Sequence, residues 1–139
     1  MIEIAMQARD KFFSALSDIR SASPVDPQQV DVIDVGSSLT GDSIEALQMK
    51  LVAKARAGSW RYVVDLGRVK AVDSSGLGSL VSVLRCVQDT GGFIALVTRS
   101  QKLQRMLELC ARSRRCKIYS CGADAYRALY SATAPQTAA

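Results

Sequence analysis

Two rhythms of apolar residues alternate along the chain. Short runs rich in β-branched residues read as strands: "VDVIDVG" (Val30–Gly36), "RYVVDL" (Arg61–Leu66), "FIALVT" (Phe93–Thr98) and "KIYS" (Lys117–Ser120). Between them the apolar residues recur every three or four positions, the spacing of one helix face. Ile44, Leu47, Leu51 and Ala55 make one such face, and Leu77, Leu80, Val81, Leu84 and Val87 a second. Leu103, Met106, Leu107 and Cys110 make a third. The last helix, "ADAYRALYS" (Ala123–Ser131), is expected to put Tyr126, Leu129 and Tyr130 on one side.

Punctuation agrees with this division. Asp42 followed by Glu45 resembles a capping box, Ser100 fits a helix cap, and Gly58 and "TGG" (Thr90–Gly92) read as stop signals. Near the start, "IEIAM" fits a short strand, yet Phe12, Phe13, Leu16 and Ile19 have helical spacing. A helix from about Arg9 to Arg20 is expected, then a breaker-rich connection over Ser21–Gln29.

Strands alternating with helices imply a mainly parallel sheet with helices packed on it. "FIALVT" is continuously apolar, as in a strand covered on both faces. The expectation is a single α/β domain over 30–131, preceded by a helical extension over 1–29 and followed by a loose tail over 132–139.

Composition narrows the function classes. With 139 residues and 48% apolar content, the chain can bury a core without metals or disulfides. Its longest apolar run, Phe93–Val97, is too short to cross a bilayer, and "MIEIAMQARDKFF" lacks the pattern of a signal peptide. Cys86, Cys110, Cys116 and Cys121 form no C-x-x-C, and the chain has no histidine. They read as reduced, buried or partly buried thiols in a cytoplasmic protein, with no metal site and no bound cofactor. The net charge is +5, with basic residues gathered at Arg99, Lys102, Arg105, Arg112, Arg114, Arg115 and Lys117. Few aromatics accompany them, so the charge argues for solubility and steering of a partner and against nucleic-acid binding.

The tract that carries chemistry is "VDSSGLG" (Val72–Gly78), an acid, two serines and two glycines at the mouth of a helix. Three roles fit the hydroxyls. Asp73 or Ser74 can cap the helix by accepting a hydrogen bond from one of its first N–H groups, contributing about 1 kcal/mol. A serine nucleophile would need a base, and with no histidine a Ser-His-Asp triad is excluded. The tract also lacks S-x-x-K, G-x-S-x-G and the P-loop lysine, and Asp65 and Asp73 form no metal cluster. The third role is covalent modification. A serine at an exposed helix start can carry a phosphate because the free N–H groups and the dipole favour an anion there.

"VVDLGRVKAVDSSGLGSLVSVL" (Val63–Leu84) resembles the central motif of STAS domains, most of all the anti-sigma factor antagonists. In that family a strand ending in D-L leads through a short turn to D-S-[ST]-G-L-G and a helix. "VGSSLTGDSIEAL" and "TGGFIALVTRSQKLQRMLELC" are similar to the flanking segments, so the likeness spans about Val30 to Leu129.

The resemblance implies a mixed, mostly parallel sheet packed with about four helices. It implies a bacterial, non-enzymatic transcription regulator that switches partners. Ser74 stands at the family's phosphoacceptor position. Asp73, Ser75, Gly76 and Leu77, with Ser38, Leu39, Thr40 and Asp42 from the preceding loop, stand where a partner binds. That partner would be an anti-sigma factor that is also a serine kinase of the histidine-kinase-like ATPase fold. A Ser/Thr phosphatase would reverse the modification. A structural STAS subunit of a lipid-transport or stress-signalling complex is the alternative.

Three features depart from the family. The N-terminal extension lengthens the approach to Val30, and can replace a first strand or mediate self-association as a homodimer. "CARSRRCKIYS" lacks the usual T-G-L-like turn, and "GSSLTGDS" lacks the G-E-[IL]-D form.

Overall fold

The computed structural model describes residues 11–19, 29–110 and 116–131. A first helix, α1, covers 11–19, within the expected span. The strand β1 (Val30–Asp34) and the two-residue β2 (Ser38–Leu39) lead into α2 (Gly41–Arg56). Then come β3 (Arg61–Asp65), β4 (Ala71–Val72) and α3 (Ser74–Asp89). The chain continues through β5 (Phe93–Val97), α4 (Gln101–Cys110), β6 (Cys116–Tyr119) and α5 (Gly122–Ser131). "IEIAM" and the 132–139 tail lie outside the described residues.

The main sheet has the order β1-β3-β5-β6, and every pairing in it is parallel. Each new strand is therefore added on the same side of the last. Right-handed crossovers then place α2, α3 and α4 on one face of the sheet. The burial follows: Ile33, Tyr62, Val64, Ile94, Leu96 and Cys116 share one core with Ile44, Leu47, Leu51, Leu80, Leu84, Leu103 and Leu107. Phe12, Leu16 and Ile19 of α1 join the same core. On the opposite face α5 covers Val30, Val63, Ala95 and Val97 with Ala125 and Leu129. "FIALV" lies between β3 and β6, which is why it carries no polar position.

The apolar face expected of α2 is the buried one, residue for residue. Three local expectations are corrected. The cap of α2 is Thr40, two residues before the acid proposed for it, and Ser43 closes the motif where Glu45 was expected. Ser43 Oγ accepts the Thr40 N–H at 2.9 Å. In α5 the packing side chains are Ala125 and Leu129, while Tyr126 and Tyr130 stack on each other at 6.4 Å in solvent. The small Ala125 lets the helix sit close to the sheet, which turns the larger rings outward. Cys86 and Cys116 are buried, and burial pushes the Cys116 thiol up to about 11, but Cys121 is exposed.

Among the described residues the basic side chains do not gather into one surface. Arg99, Lys102 and Arg105 are exposed on or next to α4. Lys117 stands in register with Ala95 and so on the α5 side of β6. Residues 112, 114 and 115 lie outside the described residues.

The place of α1 in the core gives a first expectation. Leu16 is fully buried. Leu16→Ala should lower the free energy of unfolding by about 2–5 kcal/mol in urea titration. A loss below about 0.5 kcal/mol, the usual effect of a surface change, would mean that α1 is not part of the folding unit.

Candidate functional site

The site is built where β1 and β3 end. Asp34 and Asp65 are register partners on adjacent strands, and each is followed two residues later by glycine. Asp34 Oδ1 accepts the Gly36 N–H at 2.8 Å, and Asp65 Oδ1 accepts the Gly67 N–H at 2.8 Å. Each carboxylate thereby folds its own loop, the local device by which Asp starts turns. Arg68 reaches from the second loop to the first and meets Asp34 Oδ2 at 3.2 Å. The Gly36 N–H, and then the Arg68 guanidinium, hold the Asp34 carboxyl below its ordinary value of 3.8.

The stitched loops then run side by side as a second, minimal ladder. Lys70 N–H donates to Ser37 O at 2.8 Å, and β2 and β4 pair in parallel, Ser38 with Ala71 and Leu39 with Val72. Asp73 N–H closes the ladder on Leu39 O at 3.2 Å. Two-residue strands have no periodicity to read, so this ladder is invisible in the sequence. Its effect is to bring the first turns of α2 and α3 together, and the two helices pack against each other.

At the mouth of α3 the cap is Asp73, in extended conformation, whose Oδ1 accepts the Gly76 N–H at 2.6 Å. Leu77 N–H donates to Asp73 O at 3.0 Å. Of the two candidate caps, the acid does the capping. Ser74 is left exposed, with no hydrogen-bond partner for its hydroxyl among the described residues. Ser75 is exposed too and turns toward α2: a Cβ built on Gly41 would stand 4.0 Å from Ser75 Oγ.

Gly76 is buried and has no room for a side chain. A Cβ there would fall on the Leu39 carbonyl and come within 2.7 Å of Thr40 Cα. These are main-chain atoms of the neighbouring ladder, so only glycine lets α3 start this close to the β2–α2 turn. The fit is maintained against propensity, because each helix-interior glycine is worse than alanine by about 0.5–1 kcal/mol.

The nine residues singled out from the sequence thus divide in two. Ser38 and Thr40 are half-buried; Asp42, Asp73, Ser74 and Ser75 are exposed; Leu77 is half-buried beside them. Leu39 and Gly76 are buried and touch each other's backbone, so they support the surface instead of lining it. Sequence reasoning missed Asp34 and Arg68. The signal was present as the repeated D-x-G of "DVG" and "DLG". Val72, exposed beside Asp73, was missed as well.

The arrangement presents a hydroxyl. The chain supplies no histidine to activate it. Among the described residues no three His, Cys, Asp or Glu side chains converge as metal ligands, and no helix is long and apolar enough to cross a membrane. What the site does supply is two helix starts whose dipoles favour an anion, next to the carboxylates of Asp42 and Asp73.

Comparison with known proteins gives four matches. The family model described as "Mlab, STAS domain" matches residues 24–113. A Thermotoga maritima protein provisionally named an anti-sigma factor antagonist is 41% identical over 54 residues, covering 39% of this chain and 48% of that protein. A Thermotoga neapolitana homologue with the same provisional name is 37% identical over 59 residues, covering 42% and 52%. The chain thus spans about half the length of the curated relatives it matches. A crystal structure of a T. maritima protein so named superposes with a TM-score of 0.50 at 24% identity, covering 77% of this chain and 91% of that one. That likeness speaks for the fold.

Two expectations follow from the geometry. Gly76→Ala should destabilise the chain by about 1–3 kcal/mol in urea titration, since a methyl group is forced onto backbone; an unchanged midpoint would show that α3 is free to slide. Because the Asp34 pKa is lowered on folding, its contribution is present above the ordinary value and lost as pH falls through the folded one. The stability difference between wild type and Asp34→Asn should therefore shrink from about pH 5 to about pH 2 in denaturation series. A difference that stays constant would remove Asp34 from the loop stitch.

Proposed function

This chain belongs to the STAS domain family, and on that premise we propose that it is an anti-sigma factor antagonist working by partner switching. The observation that carries the reading is the exposed, unengaged Ser74 hydroxyl on a helix start whose capping is done by Asp73. A modified Ser74 leaves the cap, the ladder and the core as they were.

In this reading the chain acts in the bacterial cytoplasm, is no enzyme and carries no cofactor. Unmodified, it binds an anti-sigma factor of the histidine-kinase-like ATPase fold through Ser38, Thr40, Asp42, Asp73, Ser75 and Leu77. That partner also acts as a serine kinase on Ser74. The γ-phosphoryl group of Mg-ATP passes to Ser74 Oγ, the bond to ADP breaks, and the hydroxyl proton leaves to a base on the kinase. A Ser/Thr phosphatase hydrolyses the phosphoserine and restores the hydroxyl.

The physics of release is local. The phosphate adds roughly −1.5 to −2 charges beside Asp42 and Asp73, in a surface that has to be desolvated on binding. Each tenfold loss of affinity needs only about 1.4 kcal/mol. The helix starts tolerate the anion, so the fold is unaffected while the interface is not.

A second reading is favoured by the matching family model, whose description names a STAS domain without naming an antagonist. There the same surface would hold an ATPase or sister domain in a larger complex, and phosphorylation would be incidental.

Ser74→Ala should retain binding to the kinase and abolish its ATP-dependent release, while Ser74→Asp should weaken binding by about tenfold or more in calorimetry, a change of about 1.4 kcal/mol. Phosphopeptide mass spectrometry after incubation with Mg-ATP should find the phosphate on Ser74. If neither aspartate nor authentic phosphoserine at this position weakens binding, the interface lies elsewhere. A stable complex with no phosphate on Ser74 would favour the second reading.

A further inference from the structure

The first two turns of α3 hold two glycines, and only one has a packing reason among the described residues. Gly76 is fixed by the backbone of Leu39 and Thr40. Gly78 is different. Its φ is not positive, that conformation being confined to Gly36, Gly58 and Gly91 among the described glycines. A Cβ built on Gly78 meets nothing within 4 Å, and the residue is exposed. A glycine in a helix interior sacrifices backbone order that alanine would keep, and no packing among the described residues offsets that loss.

Gly78 lies four residues beyond Ser74, one turn along the same face of α3. The strip stays low for another turn, because Ser82 Oγ folds back to donate to Gly78 O at 3.3 Å. The surface is thus continuous with the contact proposed for Ser74.

We propose that Gly78 is a clearance point, against which the protein that modifies Ser74 lays a main-chain loop at a distance a methyl group would block. This rests on the Ser74 reading above and extends it one turn along α3. The occupant is a polypeptide: Asp42 and Asp73 are exposed at the same mouth, and their carboxylates oppose the phosphate backbone of a nucleic acid.

The test uses the full chain. Each serine kinase of the histidine-kinase-like ATPase fold encoded in the genome that carries this chain is purified and incubated with wild type and Mg-ATP. The one that phosphorylates Ser74 is the probe. Unmodified wild type, Gly78→Ala and Gly78→Gln are titrated with it in Mg-ADP and melted in its absence. The expected result is a Gly78→Ala variant that melts about 2–4 °C higher yet binds at least tenfold more weakly, with Gly78→Gln weaker again and phosphorylation slowed in step. A higher melting temperature with Kd within twofold of wild type overturns the proposal and leaves the Ser74 reading standing. A lower melting temperature for Gly78→Ala reveals an internal need for glycine and overturns it too. If no such kinase modifies Ser74 in wild type, the Ser74 reading fails and this inference falls with it.

Discussion

The close approach of Gly76 to the main chain of Leu39 and Thr40 governs the end of the molecule that carries the candidate site. It joins the ladder that ends β4 to the turn that begins α2, and so fixes two helix starts in one place. Everything exposed there inherits its position from this contact. Asp73 is held twice, through its N–H to Leu39 O and through its carboxylate to Gly76 N–H. The hydroxyl next to it needs no role in the fold, which leaves it available. The Gly76 and Leu77 N–H groups are already taken by Asp73, so the helix cap does not depend on the Ser74 hydroxyl.

Electrostatics at this end are balanced on a small scale. Two helix starts place partial positive charge at the mouth, and Asp42 and Asp73 place full negative charges there. Behind them, Asp34 and Arg68 tie the supporting loops in an exposed pair. Such a pair is worth little by itself. Its value is geometric, since it joins the loops that follow β1 and β3 before either reaches the short ladder.

How much of this was readable in advance depended on periodicity. The buried face of α2 and the centrally placed β5 were legible because their apolar residues repeat with a clear spacing. The mouth of α3 was legible because Asp, Ser and Gly each have a narrow use at a helix start. Elements without a period were not. Two residues cannot show alternation, so β2 and β4 were hidden, and with them the reason for Gly76. Thr40 was hidden behind Asp42, a more conspicuous cap residue by type, because the choice between them depends on where the ladder releases the chain. Tyr126 and Tyr130 were misplaced since hydrophobicity favoured the larger rings, while the space above the sheet admitted only Ala125 and Leu129.

The one-sided crossovers have an effect on the folding chain itself. With α1 to α4 on the same face, the opposite face waits for the last helix. Until Gly122–Ser131 emerges and docks, no other described helix covers the aliphatic side chains of Val30, Val63, Ala95 and Val97. During synthesis, or after proteolytic loss of ten residues near the C-terminal end, the chain is a sticky half-sandwich. Among the described residues, cover of this face thus rests on one short segment remote from the site.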